Sequence, residues 1–203
     1  MTRDDMLADL AYARTLAEEG RQTPLVGGAF SILFGVLLAA AYCAQYAVLA
    51  GYLPNGAIAV IWIGFGVIAG LGCHLLSKRV RQLPGGASFP NQADRWVWNG
   101  VAIAIMCVVV GSIGRGVLTN DFTAPNAIMA AGFGMYGVAL YTTGRLSDQK
   151  WLEAFAWIAW AASLVLWFFL DETWAYLVAA AASVTVLIVP GVLLLKREPS
   201  AIV

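Results

Sequence analysis

The run "VVVGSIGRGVL", residues 108–118, places Arg115 at the end of an apolar stretch that carries no other charge. An arginine there either works as a functional group in hydrocarbon or reaches water with its long side chain. Trp96 and Trp98 stand where an interfacial aromatic belt is expected. Counted from them, Arg115 lies roughly 26–28 Å along a helix, near the far face of a hydrocarbon core about 30 Å thick. The arginine is therefore not deep. One reading is a snorkelling or ion-paired side chain, with Asp121, Asp171 and Glu172 on nearby turns as partners. The other is a docking point for an anion or carboxylate at the mouth of a site, its surroundings kept open by Gly111, Gly114 and Gly116.

A second set with chemical potential is Trp157, Trp160 and Trp167. At about 100° per residue they fall within about 80° of one another on a helix, opposite Ala159, Ala162 and Ser163. Either the tryptophans face lipid or a neighbour while the small residues pack inward, or they form an aromatic wall for a hydrophobic, quinone-like or cationic ligand.

Other reactive residue types give less. His74 is the only histidine and stands four residues from Lys78, so no haem or zinc set can form around it. Tyr42, Tyr136, Ser163, Ser183 and Thr185 fall nearer mid-span, but none ionises near neutral pH. Coupled pumps place Asp, Glu or His at that depth. Cys43, Cys73 and Cys107 lie at roughly 27, 8 and 16 Å from one membrane face by helical rise. No two come within disulfide reach, about 7 Å between Cα atoms. HExxH, GxSxG, Walker and CxxCH sequences are absent. No catalytic residue, metal site or cofactor is expected.

These side chains need elements to hold them, and composition says which. Of 203 residues 61% are hydrophobic and 12% charged, against about 25% charged in a soluble domain. The apolar residues form runs of about 20, the length of a membrane helix. Six spans are expected, at about 25–50, 57–77, 97–118, 125–144, 152–170 and 174–195. Net charge is zero, which suggests no nucleic-acid partner.

The placement of charge orients the chain. Arg3, Arg14 and Arg21 precede span 1; Lys78, Arg79, Arg81 and Arg95 follow span 2; Arg145 and Lys150 follow span 4; Lys196 and Arg197 follow span 6. The connections 51–56, 119–124 and 171–173 hold no Lys or Arg. By the positive-inside rule both termini are cytoplasmic. The first 24 residues hold five acidic side chains and no apolar core, so span 1 is read as an uncleaved anchor. The short outer connections fit a bacterial inner membrane.

The expected fold is thus an all-α integral membrane protein of six transmembrane helices in three hairpins. Residues 1–22 form a cytoplasmic arm, 23–198 the membrane domain and 199–203 a tail. "GFGVIAGLGCHLLSKR" in span 2 faintly repeats as "GFGMYGVALYTTGRL" in span 4. Small residues mark packing seams of the bundle or of an oligomer: Gly27, Ser31 and Gly35 in span 1, Gly66 and Gly70 in span 2, Ala130 and Gly134 in span 4. The arm carries Met6, Leu10, Ala13 and Ala17 on one helical stripe amid acids, which suits docking on protein better than on lipid head groups. Pro84, Gly85, Gly86 and Pro90 break the loop 78–95, read as a solvated connector with lipid or partner binding behind.

Two functions are weighed. The first is a non-enzymatic accessory, assembly or sensory subunit whose partners are membrane lipid and a protein partner or homo-oligomer. The alternative is a channel or facilitator for a small neutral or anionic solute with Arg115 at its outer entrance. A weaker third is a lipid-modifying enzyme at loop 78–95.

Overall fold

The computed structural model describes Tyr12, residues 24–120 and residues 122–198. The expected arm with Met6, Leu10, Ala13 and Ala17, the tail 199–203 and Asp121 lie outside the described residues. Among these there are helices and no strands: α1 (Gly28–Leu49), α2 (Ala57–Val80), α3 (Phe89–Thr119), α4 (Ala127–Leu146), α5 (Trp151–Phe168) and α6 (Ala175–Leu195). A 3-10 turn, Ala124–Asn126, leads into α4.

Five of the six, all but α4, are long and apolar enough to cross a membrane. The exception has a physical reason. Neighbours on two sides, α3 and α5, cover α4, which buries nine residues from Met129 to Gly144. A helix wrapped by protein needs little apolar surface of its own, so glycine, tyrosine and threonine are tolerated along it. By contrast α2 buries only Ala69 and Val80, and α3 shows Ile103, Met106, Val110 and Val117 to the outside. Such flanks suit lipid or protein and not water.

In the bundle α1 packs on α2 and α6, α6 on α5, α5 on α4, and α4 on α3. The order α2-α1-α6-α5-α4-α3 is an open arc, and its end members α2 and α3 make at most a marginal contact with each other.

Two details correct the expectations. Helix α3 begins at Phe89 and not near 97, so the connector shrinks to residues 81–88. Pro90 does not break helix here: it occupies the first turn, where its missing N–H would have no partner anyway. Within α6, Val184–Ile188 widens into a π turn just before Pro190. A proline ring clashes with the carbonyl four residues back, and shifting the ladder by one residue relieves that clash.

Candidate functional site

The six helices gather one end each into a common polar junction. Pro24, Leu25 and Val26 lead into α1, and Leu25 and Val26 are fully buried. Buried backbone needs partners, and Asn91 in the first turns of α3 supplies them. Its Oδ1 accepts the Val26 N–H at 2.9 Å. Its amide donates to the carbonyls of Pro24 (2.9 Å) and Gly85 (3.1 Å) and to the Ser88 hydroxyl (3.1 Å). One side chain thereby ties the entry of α1 to the connector before α3.

One turn on, Asp94 accepts the Thr143 hydroxyl of α4 at 2.8 Å and takes a second hydrogen bond from Trp98. Its Oδ2 lies so near Gly27 that a Cβ there would come within 3.1 Å. Beyond α6, Glu198 accepts the Gly28 N–H and faces Arg79 at the end of α2. Two carboxylates therefore stand at the N-terminal end of α1, where unpaired N–H groups favour negative charge. Burial pushes the Glu198 carboxyl up from its ordinary value, while Arg79 and the Gly28 N–H pull it down. Arg145 pairs with Glu153 at 3.2 Å, joining the end of α4 to the start of α5, and Arg197 lies over the Trp151 ring.

At the opposite end α3 stops at Asn120, which takes a left-handed turn (φ 53°). Behind that turn Arg115, Thr123, Ala124, Ala127, Leu170 and Asp171 line an open pocket of about 390 Å³. Arg115 is exposed there, in the last turns of α3, with Asp171 on the same rim.

The three tryptophans do not share one surface. Trp157 and Trp167 are exposed, but Trp160 turns inward, packs on Gly137 and donates to the Gly134 carbonyl at 3.1 Å. Trp157 meets only the edge of Trp160, at 5.0 Å between centroids.

The seams separate in the same way. Ala130 and Gly134 form a true contact, with the Ser163 hydroxyl of α5 donating to the Ala130 carbonyl at 2.7 Å. Gly35 faces Leu187 and Ile188 of α6, but Gly27 faces Asp94, and it is Gly28 that meets the backbone of α6, against Gly191. Ser31 is half-buried. Around Gly66 and Gly70 a Cβ would meet no atom beyond their own helix within 4 Å among the described residues, so they are not seams between those elements. His74 is exposed on α2.

Sequence reading missed Asn91, Asp94 and Glu198. The usable signal was a polar pair at i and i+3 directly ahead of an apolar run.

No protein-family model matches the chain, and neither the curated proteins nor the solved structures hold a match. The class therefore rests on the helices themselves. Five of them have the length and apolarity of membrane spans, and their outer flanks carry large aliphatic side chains. The chain is a multi-pass helical membrane protein.

Proposed function

We propose that this is a six-span protein of a bacterial inner membrane with cytoplasmic termini, acting without catalysis as an accessory, assembly or sensory subunit. One observation carries the reading. Gly64, Gly66 and Gly70 on α2, and Gly100, Gly111 and Gly114 on α3, have no atom of the described residues, beyond the adjoining backbone of their own helix, within 4 Å of where a Cβ would stand. In a bilayer small residues are used to bring backbones together. Glycine is otherwise a weak helix former, costing about 1 kcal/mol against alanine. Six glycines left open on the two least covered helices suit lateral contact with another helix, and the positive-inside pattern supports the orientation.

Native mass spectrometry of the protein released gently from its membrane tests this. A defined homo-oligomer or a bound polypeptide is expected, and Gly66→Leu with Gly70→Leu should disperse it while the monomer stays folded. A strict monomer would overturn the reading.

The pocket at Arg115 and Asp171 favours the facilitator reading as a second. Arg115→Ala separates the two. In proteoliposomes loaded to follow chloride or glycerol, the substitution is expected to leave flux at the background level of the parent protein. Flux in the parent that Arg115→Ala abolishes, at unchanged unfolding temperature, would favour the facilitator.

A further inference from the structure

Arg115 and Asp171 both line the open pocket of about 390 Å³, yet they do not close on each other. No ion pair joins them, so the guanidinium nitrogens and the carboxylate oxygens stand more than 4.0 Å apart. Among the described residues nothing accepts a hydrogen bond from the Arg115 guanidinium. The Thr119 hydroxyl reaches only the Arg115 backbone carbonyl, at 2.9 Å. Two opposite charges thus share one small space without cancelling.

Their separation is built into the backbone. Arg115 belongs to the last turns of α3, and Asp171 to the turn between α5 and α6. Each is braced independently. Gly116 is buried beside Arg115, and a Cβ there would come within 2.8 Å of the Phe122 ring, so its absence lets the chain fold back on the end of α3. Asn126 accepts the Tyr176 hydroxyl at 2.9 Å, which ties the 3-10 turn to α6. Phe169 packs on Trp174 at 4.9 Å between ring centroids across the α5–α6 turn. Ala124 and Ala127 complete much of the lining, and their methyl groups fill little of the space.

The volume falls at the lower end for small-molecule sites, about 300–1,000 Å³. A plain anion on Arg115 meets the like charge of Asp171, with exposed Glu172 next to it. A plain cation on Asp171 meets Arg115, and a neutral solute leaves both charges without a counter-charge. A molecule carrying both charges a few bonds apart answers both. We propose that this pocket binds a small zwitterion, its carboxylate or phosphate on the Arg115 guanidinium and its ammonium on the Asp171 carboxylate. A planar guanidinium suits either anion, through paired hydrogen bonds. Two sources carry this chemistry at a membrane face: a free α-amino acid from water and a phosphatidylethanolamine head group from the bilayer. The inference takes its pocket from the second reading above but needs no solute to cross.

The test titrates the full chain in maltoside micelles by isothermal calorimetry. One arm uses glycine, with acetate and methylammonium as its separated charges. The other uses short-chain phosphatidylethanolamine, with short-chain phosphatidylglycerol as the anionic control. Saturable binding is expected in one arm, which identifies the source, and at least about 5-fold weaker binding of that arm's controls. Arg115→Gln and Asp171→Asn should each weaken it by about 5-fold, the small end for a charged contact because the pocket is open to water. The swap Arg115→Asp with Asp171→Arg should recover part of the loss, since a zwitterion can turn round, whereas a purely structural arginine gives no such recovery. Saturation in neither arm would overturn the proposal. So would controls that bind as tightly, single variants that bind unchanged, or a folded swap that recovers nothing. Binding without flux in the proteoliposomes would remove the facilitator reading alone, and flux without zwitterion binding would remove this proposal alone.

Discussion

Gly28→Ala is expected to lower the unfolding temperature of the protein, although alanine is the better helix former. A Cβ at Gly28 would lie 2.6 Å from the Gly191 carbonyl oxygen and 2.7 Å from the Leu195 nitrogen. Both are backbone atoms of α6 and cannot rotate aside, so α1 and α6 must separate. Overpacking costs about 1–3 kcal/mol, against about 1 kcal/mol of helix propensity gained. The net loss should be larger still for Gly28→Leu. Gly191→Ala meets the reverse face of the same contact, its Cβ 2.9 Å from the Gly28 carbonyl oxygen. The two substitutions should therefore cost less together than the sum of each alone, because the first has already opened the gap. Gly66→Ala and Gly70→Ala, with nothing within 4 Å, should leave the monomer unchanged or gain up to about 1 kcal/mol. Thermal unfolding of these variants in one detergent decides the matter. Equal destabilisation at Gly28 and Gly66 would sink the assignment of α1 and α6 as neighbours.

That contrast also shows what a sequence can and cannot carry. Length and apolarity locate helices well, because the bilayer imposes both, and every expected span overlaps a helix. Spacing of small residues marks faces that permit close approach but never names the partner. Ala130 and Gly134 find theirs on the next helix along the chain. Gly28 finds its own on Gly191, at the other end of the chain, and the neighbouring Gly27 was the more visible member of the pattern only because Ser31 follows it four residues on. A helical wheel put Trp160 on one side with Trp157 and Trp167. The room left by Gly137 on α4 turns it inward instead. Pro90 has the look of a breaker in sequence because a proline's effect depends on its distance from the helix start, which the sequence does not mark. The polar junction was the least legible part. Asn91 reaches Val26 across 65 residues, and Asp94 reaches Thr143 across 49. Those pairs exist only once α3 has come against the entry of α1 and the end of α4.

Asn91→Ala should be the most damaging polar substitution in the protein. Asn91 is 2% exposed, and its amide serves four groups at once: the Val26 N–H, the Pro24 and Gly85 carbonyls and the Ser88 hydroxyl. Truncation strands the Val26 N–H in a site where no water reaches it easily, since Val26 is itself 2% exposed. One unsatisfied buried group costs about 1–3 kcal/mol, and the lost bonds to the carbonyls add to it. A total of roughly 2–4 kcal/mol is expected on those terms. The damage should be local before it is global. Residues 81–88 are held to α1 through Gly85 and Ser88, and Arg81 at their start is exposed. Limited trypsin digestion should therefore leave Arg81 intact in the parent protein and cut it early in Asn91→Ala, at temperatures where the rest of the chain resists. Ser88→Ala removes only one of the four contacts, and its hydroxyl can be replaced by water. It should shift the digestion little. If Asn91→Ala is cut no faster than Ser88→Ala, the junction does not hold the connector, and the close packing of α1 on α6 alone fixes the entry of the first helix.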